Sequence, residues 1–417
     1  MNNKLAFAGV NNPLVICLGL LLLMRPDVPS AQLVAQDSGS PVAPSPPVAP
    51  SPAESSSVVP TSGQSDSVQN DWSLPRGDAG ASGSTAHQLP DDLEVLWEYK
   101  AAEAIESTPA IVGDRVLLSD VMGRLYAVDR KTGKELWQKN YDTGFLASPA
   151  VKNDLMVIGD VEGNLYAINT ADGAQRWKQT TDGEISGSAA FYQDTVLVTS
   201  QDGSLYCFEL SDGTLAWKYE TGDQIRCSPA LANSRTFLGG CDGQLHIVDV
   251  KTGKSVCESL PLGGPTGSTP AVSGDHAFLP TMEGAVLMFD WKKHSQQWRY
   301  EDEERSQEYR ASAAVSGDYV IVSSQYKQID AISIATGKRV WRHTLKRRAD
   351  ASPVIAGNDV WVAATDGRLV RLGLKDGKEK WHYEVKGSFI GAPGIAGGQL
   401  FIADDEGIVR CFGQRAG

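Results

Sequence analysis

The chain has little cysteine, a deficit of basic charge and no motif of a catalytic kind. Of its six cysteines, Cys17 lies in an amino-terminal apolar run. The other five, Cys207, Cys227, Cys241, Cys257 and Cys411, show no CxxC spacing and no adjacent pair. An odd number without that spacing argues against both a disulfide scaffold and a metal site. Cys207 and Cys411 stand at matching positions in LYCF and VRCF and read as small apolar residues. Cys227 and Cys241 flank an expected hairpin and are the pair placed to bond in an oxidising compartment. Lys and Arg number 38 against 51 Asp and Glu, a net charge of −13. With no basic patch interleaved with aromatics, nucleic acid is not expected as a partner. The six histidines, His87, His246, His276, His294, His343 and His382, follow no HxH or HExxH spacing, and neither GxSxG nor a phosphate loop occurs. No catalytic residue and no metal ligand is assigned.

What is present is a repeat. The stretch KTGKELW, residues 131–137, recurs so that Trp97, Trp137, Trp177, Trp217, Trp298, Trp341 and Trp381 occupy equivalent contexts. With Cys257 in the one vacant slot, the successive spacings are 40, 40, 40, 40, 41, 43 and 40 residues. Such a period decides the architecture before any single residue does. Each unit reads as Ser/Thr-Pro-Ala, a Gly-Asp turn, an apolar run, an Asp-Gly turn, Leu-Tyr-Ala, then Thr-Gly and Trp. Runs such as VLVTS (196–200) and SLYCFEL (204–210) alternate and are β-branched or aromatic, with Asp202-Gly203 between them as a hairpin signal. Helical periodicity is missing from the repeat region.

Four antiparallel strands per unit and eight units predict an all-β, eight-bladed propeller, with the repeated Trp docked between neighbouring blades. Two units are degenerate: Lys293-His294 stands for Thr-Gly, and Tyr326-Lys327 for Asp-Gly. The eighth unit stops before its Trp, while residues 93–100, LEVLWEYK, form an orphan strand ahead of the first unit. One end supplies what the other lacks, so the ring is expected to close through that amino-terminal strand and leave no open sheet edge. A monomer is expected.

Ahead of the propeller, residues 1–35 read as an export signal, with Lys4, an apolar core over 14–24 and small residues near Ser30-Ala31 and Ala35. That core is shorter than the ~20 residues of a spanning helix, which favours a cleaved signal over an uncleaved anchor. Cys17 follows Ile16 inside the core, so lipidation is not expected. Residues 36–89 are rich in Ser, Pro, Ala, Gly and Asp and read as a disordered tether with nothing to bury. Trp72 is the lone large apolar residue there, either docking on the propeller, which spans 90–417, or idle. Export to the periplasm or outer envelope follows, with membrane proximity through the amino-terminal region.

The Asp-Gly turns tempt as metal loops, yet Asp before Gly serves hairpin turns for backbone reasons, and a calcium site needs oxygens converging on one point. More informative are positions where the units differ. Just before each Ser/Thr-Pro-Ala motif stand Glu106, Leu146, Ser186, Arg226, Gly267, Arg310, Asp350 and Ile390. Glu106, Arg226, Arg310 and Asp350 are therefore candidates to line one channel mouth and bind a polar ligand or peptide, against the alternative of pairing with one another at a solvated rim. The acidic crossover 301–305 faces the basic run 346–348 of the next crossover, either as a surface ion-pair cluster or as a partner footprint.

The repeats AVDRKTGKELW, AINTADGAQRW and AISIATGKRVW resemble the tryptophan-docking motif of PQQ-type eight-bladed propellers; the WD-repeat family, with its Trp-Asp ending, is a poorer match. Within that superfamily the resemblance implies one of two functions. PQQ-dependent dehydrogenases are usually larger, with insertions that build a pocket for PQQ and calcium and often an adjacent cysteine pair, which this chain lacks. The compact, non-enzymatic BamB-like branch implies a scaffold for envelope protein assembly that binds protein or peptide segments and needs no cofactor. A small-ligand sensor held by Arg226 and Arg310 is a third reading.

Overall fold

A computed structural model describes residues 71–415. Among them there is no helix, and the strands form eight antiparallel sheets in the order of the chain. Blade 1 runs outward through Ala110–Val112, Arg115–Ser119, Arg124–Asp129 and Glu135–Asn140, and blades 2 to 8 open at Ala150, Ala190, Ala230, Ala271, Ala314, Val354 and Gly394. The eighth takes its outermost strand from the other end of the chain: Glu94–Lys100 pairs antiparallel with Ile408–Gly413, placing Trp97 opposite Cys411 and Tyr99 opposite Val409. The chain is an eight-bladed β-propeller. The middle two strands of each blade carry the continuous apolar runs and are buried on both faces, whereas the outermost alternate with solvent.

The repeated Trp does its docking through two bonds of different kinds. Its indole N–H donates to a backbone carbonyl of the next blade: Trp97 to Arg130, Trp137 to Thr170, Trp177 to Leu210, Trp217 to Val250 and Trp341 to Leu374, each 33 residues on, and Trp298 to Ile334, all at 2.8–2.9 Å. The ring then lies against the Thr-Gly turn. At Gly253, where φ is +66°, an added Cβ would come 2.6 Å from Trp217, so this glycine is required both by its dihedral and by the ring. For Trp381 the equivalent glycine is Gly417, outside the described residues; its ring packs among Trp361, Tyr383 and Phe412.

The vacant Trp slot at Cys257 and the degenerate turn at His294 are one feature. Cys257 leaves no ring to press on the turn ahead of it, and there His294 adopts φ +53° with its side chain exposed. The outermost strand of blade 4 is correspondingly broken into Lys254–Ser255 and Leu260–Pro261. Trp291 fills the gap from blade 5, stacked edge-on against Phe237 at 5.6 Å with its N–H on the carbonyl of Gly274 at 3.0 Å. Gly253→Ala is expected to cost about 3 kcal/mol, from a left-handed alanine and the clash with Trp217. His294→Gly is expected to stay within about 0.5 kcal/mol of the parent; thermal melts of both variants check the contrast.

A hydroxyl ring ties the blades on the channel side. The backbone N–H groups of Thr108, Ser148, Ser188, Ser228, Thr269 and Ser312 donate to the side-chain oxygens of Ser148, Ser188, Ser228, Thr269, Ser312 and Ser352, one blade on, at 2.9–3.0 Å. This is why the leading motif prefers Ser or Thr.

The expected boundary of the tether at residue 89 is corrected. Residues 71–89 are described together with the propeller: Trp72 is 1% exposed, Arg76 7%, and Leu89 and Leu93 are buried in the cluster that also holds Trp361 and Phe412. Composition suggested nothing to bury, but small residues are what a strand needs to lie against other backbones. The expected signal over 1–35 and the tether up to residue 70 lie outside the described residues.

Candidate functional site

The crossovers between blades and the turns joining each blade's second and third strands share one end of the channel, and the four charged mouth residues stand there. Three of them are satisfied close to home rather than by one another. Arg310 pairs with Glu308 at 2.6 Å, Asp350 with Arg348 at 2.9 Å and with the Gln325 amide at 3.0 Å, and Arg226 bonds Gln224 at 3.2 Å. Rim pairs of this kind contribute little. Glu106 differs. Burial, and after it the neighbouring Asp405 carboxylate, hold its carboxyl above the usual range.

The raised value has a signed consequence. The folded chain holds the Glu106 proton more tightly than the unfolded chain, so this group's contribution to stability is full below its unfolded pKa and is lost as pH rises through the folded one. Glu106→Gln is expected to raise the melting temperature at pH 7 by on the order of 1 °C. The gain should vanish in acid, where the parent is protonated; melts across pH check it.

The acidic crossover does not pair with the basic run of the next one. It folds back on blade 6 instead: Asp302 accepts from Arg342 at 2.6 Å and from Arg339 at 3.3 Å, and Glu304 from Arg339 at 3.0 Å. Arg342 is shared with Asp330 at 2.6 Å, and its pKa rises for that reason first and through Asp302 as well. Lys346 reaches forward to Glu384 at 3.3 Å. The cluster therefore reads as a blade-to-crossover clamp.

The turn carboxylates are likewise engaged by their own turns. Asp120 accepts from the N–H groups of Met122 and Arg124 and from the Tyr126 hydroxyl, and Asp160 repeats the set with Glu162, Asn164 and Tyr166. The Tyr of Leu-Tyr-Ala is thus the lid of the Asp turn two strands away from the docking Trp. Cys227 keeps its thiol, which donates to the Gly239 carbonyl at 3.2 Å; burial pushes it up to about 12, and no disulfide joins it to Cys241.

The channel itself holds what the sequence reading missed. Residues 71–85 run along its wall. They enter and leave where the innermost strands turn, with Asp71 accepting from Gly113 N–H at 2.9 Å and Gln88 beside Gly357. Arg76 reaches toward the opposite end, where its guanidinium donates to the carbonyls of Ala313 at 2.7 Å and Pro353 at 3.1 Å. Beside the segment, between Leu74, Ala81, Ala190 and Pro229, lies a cavity of about 20 Å³, room for about one water. The signal available in sequence was Trp72 and Arg76 in a tract rich in small residues.

The sequence profile of the family described as "Outer membrane protein assembly factor BamB" matches residues 85–138, 121–260 and 224–417, the whole of the ring. The chain belongs to the BamB family. Among solved structures, BamB from Moraxella catarrhalis is 20% identical, aligns over 78% of this chain and 100% of its own, and has a TM-score of 0.68. The quinohemoprotein alcohol dehydrogenase from Comamonas testosteroni is 13% identical over 84% of both chains, with a TM-score of 0.72. A europium-containing methanol dehydrogenase is 12% identical over 83% of this chain and 98% of its own, at 0.69. At such identities the likeness is one of fold. No curated protein sequence matches the chain.

Membership of the BamB family leaves the dehydrogenase likeness to be tested on this chain's residues. Residues 71–85 take up part of the described channel wall, with Asp78 and Ala79 left exposed. Among the described residues no three His, Cys, Asp or Glu side chains converge to hold an ion.

Proposed function

We propose that the protein is an exported, non-catalytic propeller of the cell envelope that binds segments of other proteins, in keeping with the assembly role named by its family, and that it uses no cofactor. The observation that carries this reading is the inner wall lined by the chain's own residues 71–85. With its inner strand edges taken up, the ring offers partners its loop face. That face carries the exposed apolar side chains Met122, Leu146 and Tyr326 among charges already paired locally, the mixture of apolar anchors and polar rim on which protein partners dock. Glu106, Arg226, Arg310 and Asp350 form the polar border of that surface.

Two measurements test the reading. Photo-crosslinkers placed at Met122, Leu146 and Tyr326 should capture envelope proteins in cells, whereas crosslinkers at Thr132 and Asp212, on turns at the other end of the strands, should not. Equal capture from both ends, or none, overturns it. The purified full chain should neither bind PQQ with calcium saturably nor reduce dye with simple alcohols or sugars; saturable binding with turnover would make it a compact quinoprotein.

A further inference from the structure

Within its own blade each innermost strand has a hydrogen-bonded neighbour on one side only, so its other edge offers donors and acceptors to the channel. Residues 71–85 take up those edges in turn. Trp72 exchanges two backbone bonds with Ile111, at 2.8 and 3.0 Å, and the carbonyls of Ser73, Ala79, Gly80, Ser82 and Gly83 accept from Val151, Leu231, Val272, Val315 and Ile355. These donors belong to blades 1, 2, 4, 5, 6 and 7. Ser84–Thr85 continue as a short parallel strand along Ile355 and Ala356. Side chains reach the remaining two blades: Leu74 packs in the cluster of Phe191, and Trp72 in that of Ile395. Between the anchors the segment is small by necessity. A Cβ at Gly80 would sit 2.6 Å from the Val272 carbonyl oxygen.

We propose that the inner wall of the ring is a binding site for an extended polypeptide strand, that residues 71–85 are its resident ligand, and that a partner segment of the same chemistry takes their place. That chemistry is an indole followed four residues later by a guanidinium, then a run of Gly, Ala and Ser. The proposal rests on the reading of the protein as a binder of protein segments and assigns it a second site, distinct from the loop face. Strand addition to an exposed edge is a general mode of peptide capture, in which backbone bonds supply affinity and side-chain pockets supply selectivity.

Three observations make the resident strand displaceable. No blade's own four-stranded ladder passes through it; its departure removes only the two-residue edge strand Ser84–Thr85 from the sheet of blade 7. Its link to the ring, Ala86 to Gln88, is partly exposed. It also carries buried donors without partners, Trp72 Nε1 and Arg76 Nε. The Arg76 charge meets backbone carbonyls, while Asp78 is turned onto Ser82, bonded to its N–H at 3.0 Å and its hydroxyl at 2.5 Å. Burial accordingly lowers Arg76 to about 10. Orphaned donors and a charge held by carbonyls weaken the docked state relative to one that is fully paired.

The test uses the full-length chain with a specific protease site inserted after Ala86, cut while folded and mixed with a fluorescent synthetic peptide of residues 71–86. The peptide is expected to enter one-to-one, with a rise in anisotropy, and to be chased by unlabelled peptide. A peptide with Trp72→Ala and Arg76→Ala should chase at least about tenfold less well. A cut segment that never exchanges short of global unfolding would make it a permanent piece of core and overturn the proposal, as would equal chasing by the doubly substituted peptide. In the uncut chain, the amides of Ile111, Val151, Val272 and Ile355 should exchange hydrogen faster than those of Val116 to Leu118; equal protection overturns it too. Neither readout involves the loop face, so a failure of the crosslinking experiment leaves this test intact, and the reverse holds.

Discussion

Replacing residues 93–100 with a Gly-Ser linker of equal length is expected to lower the melting temperature by more than about 10 °C and to bring on aggregation. The replaced stretch contains the whole outermost strand of blade 8, Glu94–Lys100, and its loss bares the edge of Ile408–Gly413. Trp97 goes with it. That ring packs on Phe401 at a centroid distance of 5.9 Å and bonds Arg130 in blade 1, and truncating a buried Trp alone typically costs about 3–5 kcal/mol. The ion pair of Glu98 with Arg410, at 2.8 Å, and the edge contact of Tyr99 with Tyr126 are lost as well. Both lie at the place where the ends of the chain meet. The linker preserves the connection to residues 71–89, so the effect belongs to the strand. Calorimetry with light scattering reads it, and an unchanged melting temperature would sink the idea that the ring is held shut here.

Removing residues 1–89 is expected to lower the melting temperature by on the order of 10 °C relative to a chain that begins at residue 71. The composition of 36–89 suggests a dispensable spacer whose loss leaves a folded, soluble ring. The structure argues otherwise, because the loss strips Trp72 and Leu89 from the largest apolar cluster and uncaps the inner edges of six blades. Those edges would meet water rather than stay unpaired, which keeps the effect below that of an opened ring. Adding the 71–86 peptide should restore part of the lost stability in proportion to its occupancy. An unshifted melting temperature would show that the segment contributes nothing to the ring.

The contrast between these two regions shows where sequence is informative. Trp97 was placed correctly because a period of 40 residues marks it as one of a series, and a series carries its own structural context. Cys257 was visible as a vacancy, but its consequences at His294 and Trp291 were not. They depend on which turn of the next blade a missing ring would have pressed, and on a side chain entering from the far side of the seam. The charged mouth residues were found by their departure from the template. Whether they bind together or are each neutralised by a residue two positions away is a matter of side-chain geometry that no spacing encodes.

The sequence by itself determined the fold: a repeated Trp, a Thr-Gly turn beneath it, four short strands per unit and an orphan strand for the last blade leave one architecture that buries every repeat. It also pointed to the PQQ-type propellers, since the docking motif is local and survives at low identity, while the choice of branch within them came from the family profile. Only the tertiary structure decided what lines the inner wall. Residues 71–85 have no periodicity and almost no apolar content, so nothing in their pattern announces a partner. They are ordered by hydrogen bonds to strand edges from six different blades, and those edges come within reach of one another only once the ring has closed.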